Sequence, residues 1–443
     1  MVKKIVIGIM SAGVACAVFA TDARVETMGR TDHFFADETS IHQNAANLGL
    51  YDKIMYGSYG VYSFVDGKYS SGKPLLPFFG GAVSLGQKEN SRSKFSIGVT
   101  FNRVDSALNY VMFNVDSLGL RYKKLDKTTD GKVHYAINSS SDAVKYVGNP
   151  EKGYNNESRK IDLVGKVDVM LAQTLNNGTT IGLGGYLAFQ DSSRSNADGY
   201  KNRFVRGNVG VNTPIGDGVN LEASVAFSAT TLRGEILSPD NAEKPWFNAA
   251  DNDIGTHIDV RMFADVASIN AAFVPHLQAN IIQYACGEEK ILDFNAGVGF
   301  NLNIDRGFFW TGIEGFYNKA TRALVEEKIG GPEAGLYFGN RGVMGGKVGF
   351  GIERNVLTDW FVIRVGGGKV LAKEVLADGK KGSRWVENAD GDHVSLGMGV
   401  NIEDRLKIDF TVSENIPYTF TNLFSNSNES SYVATRVSAV FAF

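Results

Sequence analysis

The chain is poor in the residues that build most cofactor and metal sites. Its 443 residues include two cysteines, six histidines, four tryptophans and nine prolines. Two cysteines can frame neither a zinc cluster nor a disulfide scaffold. Forty-five basic residues against 48 acidic ones leave a formal charge of −3, which excludes the basic footprint of a nucleic-acid binder. Beyond Ala20 there is no uncharged apolar run of the ~18 or more residues that a spanning helix needs. Phosphate-loop, nucleophile-elbow and H-E-x-x-H motifs are all missing. What is plentiful is glycine, at 51, with 28 Phe and 17 Tyr. That composition fits many strands and turns rather than helix bundles.

The first twenty residues stand apart. Lys3 and Lys4 precede an apolar run from Ile5 that ends in Val18-Phe19-Ala20. A basic start, a short apolar stretch and a small-residue exit describe a secretory signal peptide, residues 1–20. Cleavage after Ala20 leaves 43 basic residues against 48 acidic and makes Cys286 the lone cysteine. The mature chain is therefore expected outside the inner membrane, as either a soluble exported β-protein or an outer-membrane barrel.

Alternation runs through the rest. Ile161, Leu163, Val167, Val169 and Leu171 oppose Lys160, Asp162, Lys166 and Asp168. Side chains alternate along a strand, so every charge falls on one face. Ile258, Val260 and Met262 oppose Asp259, Arg261 and Asp265 in the same way, and Leu406, Ile408 and Phe410 oppose Lys407 and Asp409. A sandwich would also alternate; the spacing of turns decides. Short polar turns at Asn176-Asn177-Gly178, Gly216-Asp217-Gly218, Asp305-Arg306-Gly307 and Glu403-Asp404-Arg405, with others near Pro275 and Asn355–Asp359, alternate with long polar segments around 191–202, 233–254, 320–341, 374–391 and 415–430. Short turns at one rim and long loops at the other are the rhythm of a bacterial outer-membrane barrel. The fold class is all-β: a transmembrane antiparallel barrel of about 14–16 strands over residues 51–443. Fourteen strands follow residue 110, segments 76–86 and 94–104 add a pair, and residues 51–65 belong to either wall or lumen.

Phe441 and Phe443 share one face of the last strand and resemble the C-terminal signature that the barrel-assembly machinery recognises. Trp310 and Trp360 follow short turns and are expected in the aromatic girdle. Gly297, Gly299, Gly349, Gly351, Gly397 and Gly399 fall on the inward face, which implies either bulk pressed against the wall or local curvature. The inward charges, including Lys166, Asp168, Asp259 and Arg261, are mixed in sign and favour no ion selectivity.

Residues 21–50 look unlike the wall. They carry Arg24, Met28 and Gly29 in the sequence Ala23-Arg24-Val25-Glu26-Thr27-Met28-Gly29, then Asp37 in an Ala-Asp element, then Asn44-Ala45-Ala46-Asn47-Leu48. This resembles the N-terminal region of the long-chain fatty-acid transporter superfamily, which also includes barrels attached to the type IX secretion system. Arg30 and Ala45 stand where that superfamily has Gly and Pro. The resemblance implies a lumenal plug over residues 21–50 and hydrophobic ligands that pass beside it.

His33, His42, His134, His257, His276 and His393 are each read as structural or solvated, and the spacing of His33, Asp37 and His42 is a weak metal signal. No catalytic residue, cofactor or metal is assigned. An apolar segment with Tyr418, Phe420 and Phe424 is the candidate ligand-capture loop, and Pro245-Trp246-Phe247 has similar character. The expected function is passive uptake of small hydrophobic molecules across the outer membrane of a Gram-negative envelope. The expected partners are outer-membrane lipids, the assembly machinery and a hydrophobic ligand, with no nucleic acid. The alternatives are a barrel that anchors a secretion or surface-assembly complex without transporting anything, and an open porin.

Overall fold

The computed structural model describes residues 22–60, 64–65, 68–69, 77–86, 92–110, 122–124, 133–137, 165–192, 199–235, 246–283, 290–326, 336–356, 358–377, 382–386, 392–403, 405–417 and 436–443. The segments assigned above to the signal peptide and to Tyr418, Phe420 and Phe424 lie outside these residues, as do Lys160 and Asp162.

Sixteen strands form the wall. It opens with β1 (Lys53–Gly60), β2 (Phe78–Leu85), β3 (Lys94–Phe101) and β4 (Gly165–Thr174). It continues through β5 (Thr180–Ser192), β6 (Gly199–Gly216), β7 (Val219–Glu235) and β8 (Trp246–Val266). Next come β9 (Ala271–Gln283), β10 (Lys290–Ile304), β11 (Gly307–Glu326) and β12 (Leu336–Asn355). The last four are β13 (Phe361–Ala377), β14 (His393–Ile402), β15 (Leu406–Ser413) and β16 (Arg436–Ala442). Each strand pairs antiparallel with its sequence neighbours, and β1 pairs with β16 from Ile54↔Ala442 to Gly60↔Arg436. That last ladder closes the sheet and leaves no edge. Thirteen of the wall strands lie beyond residue 110, not 14; the sixteenth is Lys53–Gly60.

The short turns gather at one rim. Residues 217–218 and 305–306 each turn a strand back within two residues, and Gly178, Gly218, Arg306 and Glu403 take positive φ there. Pro275 does not mark a turn. The chain reverses at residues 267–270, where Asn270 is left-handed, and Pro275 sits inside β9 opposite Val298. With no N–H to give, Pro275 coincides with a break in the β8–β9 ladder between Arg261↔His276 and Ala264↔Phe273. Strands such as β8 and β11, 21 and 20 residues long, are about twice the ~9–11 needed to cross a membrane.

The outer face is apolar: Val169, Leu171, Ile181, Leu183, Val205, Val209, Phe227, Ile313, Val348 and Leu371 are all exposed there. The inner face holds Ser96, Thr100, Asn212, Glu222, Arg261, Glu314, Arg364 and Asp409, all buried. A polar interior within an apolar belt is the signature of a barrel that crosses lipid. Phe441 and Phe443 are exposed on that belt with their rings stacked at 6.0 Å, and Trp360 is exposed beside a short turn. Trp310 is not in the girdle. It shares a face with Gly312 and Glu314, is 0% exposed and points into the lumen.

Candidate functional site: the N-terminal segment and the wall it touches

Residues 22–51 form three short turns linked by irregular chain. Helix α1 (Asp22–Thr27) is followed by 3-10 turns over Glu38–His42 and Ala45–Leu50. Local hydrogen bonding explains the last two. The Asp37 carboxylate accepts from Thr39 N at 2.8 Å, and the Asn44 side chain accepts from Ala46 N at 3.0 Å, so each caps the turn that follows it. Gly29 ends the first stretch at φ 100°, where a Cβ would lie 2.8 Å from the Trp310 ring.

The partners of this segment are inward-facing groups of the wall. The Trp310 indole donates to Met28 O at 2.8 Å, and Arg261 Nη1 donates to Asp32 O at 2.7 Å. Ser395 Oγ donates to Glu26 O, Ser224 Oγ to Gln43 O, and Ala23 N to Ser438 Oγ. Asn44 Nδ2 reaches Val211 O, while Asn47 bridges Glu222 and Asn212 at 2.9 and 2.8 Å. With Arg24 on Glu353 of β12 and His33 on Glu314, these hydrogen bonds alone involve seven of the sixteen strands.

Glycines make room for it. A Cβ on Gly182 would lie 2.1 Å from Ala46 N, and one on Gly366 would lie 2.4 Å from Gly29 N. Gly299 faces the Phe34 ring, Gly351 faces Met28 O and the Trp310 indole, and Gly397 faces Thr27. Gly349 lies against Trp310. Gly399 instead accommodates the Asp409 and Arg364 side chains, and Gly297 the backbone of β11. Of the two explanations for inward glycine, bulk against the wall accounts for most of these positions.

Two apolar clusters seat the segment. Met28, Phe34 and Phe35 pack with Trp310 and Val274, and Ile41, Ala45, Leu48 and Tyr51 pack with Ile54, Met170 and Val440. Between them lies a buried ionic network. Arg24, 2% exposed, puts Nε 2.8 Å from Glu353, lies over the Phe35 ring at 5.1 Å, and approaches Asp37 at 3.8 Å. Arg364 bridges the same Glu353 to Asp409 at 2.5 and 2.6 Å. Burial lifts the Asp37 carboxyl to about 7, against the opposing pull of Arg24 and of the Thr39 amide. Burial and the nearby Asp37 charge also raise Glu38 well above the carboxylate range. His42 is pushed far down by burial and by Arg103, so it is neutral at pH 7.

The wall charges singled out above all face this network or its surroundings. Asp168 holds Arg103 at 2.7 Å and lies 3.9 Å from His42. Arg261 pairs with Glu222 at 2.6 Å, Asp259 lies 3.4 Å from His276, and Lys166 is buried. His33, Asp37 and His42 do not converge. His33 meets instead two residues that spacing could not indicate, His276 of β9 and Glu314 of β11. His257 bridges Ser228 Oγ at 3.0 Å and Asn280 Oδ1 at 2.8 Å across three adjacent strands, with Tyr110 and Asp293 bonded to Asn280.

No family model matches the chain, and no curated protein matches it. Among solved structures it is similar to a deletion mutant of the TodX monoaromatic hydrocarbon channel, at 11% identity and a TM-score of 0.37, covering 96% of this chain and 99% of that one. It is also similar to CdiB from Acinetobacter baumannii, at 9% identity and a TM-score of 0.40, spanning 88% of this chain and 60% of that one. OmpT of Vibrio cholerae matches at 9% identity and a TM-score of 0.33, over 88% of this chain and 97% of that one. The class follows from the chain's own ladder and outer belt: it is a closed, 16-stranded β-barrel of the outer-membrane type.

Proposed function

We propose that this barrel is an outer-membrane conduit for small apolar molecules, driven by their own gradient and closed at rest by residues 22–51. The observation that carries the reading is a pair of cavities that meet at one place in the wall. One, of about 850 Å³, is a depression lined by Ala296, Val298, Ile313, Met344 and Leu371 of the outer face, with Trp385 beside it. The other, of about 300 Å³, lies between the N-terminal segment and the wall, lined by Phe34, Trp310, Val348 and Val370 with Arg30, His33 and His393. Both include Glu314, Lys347, Val348 and Lys369. Glycine at 297, 312, 315, 345, 346 and 349 leaves little side-chain bulk in the wall around them. Mostly apolar cavities of this size with a few polar groups suit small ligands.

The reading assigns no catalysis. The barrel reaches its membrane through the assembly machinery, which would engage Phe441 and Phe443 on the last strand. Its test is reconstitution of the mature chain in liposomes, with and without residues 21–50. Uptake of a small apolar solute by the intact protein, together with a conductance that appears only on deletion, is expected. If both forms stay closed to ions and to the solute, the conduit is refuted and an anchoring role in a surface or secretion assembly takes its place. A large steady conductance from the intact chain would make it an open porin.

A further inference from the structure

We propose that His33, His276 and Glu314 bind one divalent transition-metal ion, with zinc the best fit, which clamps the N-terminal segment to the wall. The inference rests on where the segment lies and not on what passes the barrel. The three residues come from the N-terminal segment, β9 and β11, and one ligand atom of each lies within 4.8 Å of the others. Glu314 Oε2 is 2.8 Å from His33 Nδ1 and 3.9 Å from His276 Nδ1. Ligands at ~2.0–2.1 Å in a tetrahedral zinc site stand about 3.3 Å apart, between those two distances. Two imidazoles and a carboxylate form a donor set suited to zinc and related ions, with a position left open for water.

A second observation points to a ligand. His276 is 4% exposed, and its Nδ1 is buried without a hydrogen-bond partner. Its other nitrogen lies 3.4 Å from Asp259 Oδ2. Donating Nε2–H to that carboxylate fixes the tautomer and turns the Nδ1 lone pair toward Glu314. An orphaned acceptor of this kind costs about 1–3 kcal/mol, and a carboxylate behind a histidine is the usual support of a metal ligand. Glu314 Oε1 is bonded to Lys347 at 2.9 Å, which leaves Oε2 for the ion.

There is also room. The His33 and His276 rings now stack at 4.0 Å and 19°, and ligation needs them to splay into a wedge. His33 and Glu314 border the 300 Å³ lumenal cavity, which supplies the space and the path for water.

The test uses the full mature chain in detergent, stripped with a chelator and titrated with Co²⁺ as a spectroscopic probe, then with Zn²⁺ in competition. One equivalent should bind with a visible absorption band, and the band should vanish in both His33→Ala and His276→Gln. His33 lies outside the wall, so its replacement leaves all sixteen strands intact. Asp259→Asn, a positioning change, should weaken binding about 10–100-fold without abolishing the band. Zn²⁺ should also slow amide exchange in residues 30–45 of the wild type but not of His33→Ala. Absence of saturable Co²⁺ or Zn²⁺ binding, unchanged binding in both ligand variants, or exchange indifferent to Zn²⁺ would each overturn the clamp. Binding is read without any transport measurement, so a barrel that passes no solute would sink the conduit reading and leave this one standing.

Discussion

Replacing Gly182 by alanine should expel part of the N-terminal segment without harming the wall. Gly182 faces inward on β5, and an added Cβ would stand 2.1 Å from Ala46 N and 2.3 Å from Ala45 C. Ordinary contact begins near 3.4 Å, so the capped turn after Asn44 must retreat by about 1.3 Å. Both clashing atoms are backbone and cannot swing aside. Overpacking of this kind costs about 1–3 kcal/mol, which corresponds to a roughly 5–150-fold loss of exchange protection. The Asn44 bond to Val211 and the Asn47 bonds to Glu222 and Asn212 should loosen with it. The wall should gain, since alanine in a strand is about 0.5–1 kcal/mol better than glycine. Gly185, on the same strand but facing outward, meets nothing within 4 Å and is the matched control. The assay is hydrogen exchange of amides 44–51 in each variant, beside thermal unfolding of the barrel. Equal protection in Gly182→Ala and Gly185→Ala would refute the packing of segment against wall.

Docking of the segment should depend on pH through Asp37 and Glu38. The folded Asp37 carboxyl sits near 7 against 3.8 when free, so the bound state favours its proton. Docking is therefore strongest below about pH 4 on this account and weakens up to pH 7, by as much as about 4 kcal/mol. Glu38 acts in the same sense and His42 opposes it below pH 6.5; exchange of the double variant Asp37→Asn/Glu38→Gln should lose the decline at rising pH. Arg261→Met should cost about 3–5 kcal/mol, because it strands Glu222 and the Asp32 and Phe35 carbonyls, measured by chemical unfolding. Trp310→Phe removes the donor to Met28 O and should cost about 1–3 kcal/mol of segment docking, read as faster exchange near residue 28. Ser228, although bonded to His257, should resist a fluorophosphonate probe, because the β7 and β8 residues around it are paired in the ladder and an oxyanion hole needs uncommitted N–H donors. Labelling of Ser228 would instead establish acyl-transfer chemistry in the lumen.

The wall was legible because its signals are local. Alternation within β4, β8 and β15 and the turn chemistry at 178, 218 and 306 need no knowledge of distant residues. β1 was not legible, since Ile54 and Tyr56 on its inner face are as apolar as Met55 and Tyr59 outside; the inner pair packs against the N-terminal segment, not water. Trp310 was misplaced by its nearness to a turn, although its phase with Gly312 and Glu314 already put it inside. His276 and Glu314 lie on either side of Gly297 in the β9–β10–β11 ladders, and His33 reaches them only where the N-terminal segment docks, a meeting that no spacing in the chain encodes.

Two of the segment's contacts tie the start of the chain to its end. Ala23 bonds to Ser438 and Glu26 approaches Arg436, both on the final strand, while Lys53–Gly60 completes the ring against that same strand. The contacts of Ala23 and Glu26 with β16 can therefore form only once the end of the chain has been made and placed. Loop-closure entropy over some 400 residues must be met before any of those bonds can form. A chain cut short of β16 would lose those two contacts and the ring, while the segment's partners on β6, β7, β8, β11 and β12 would remain in the sequence.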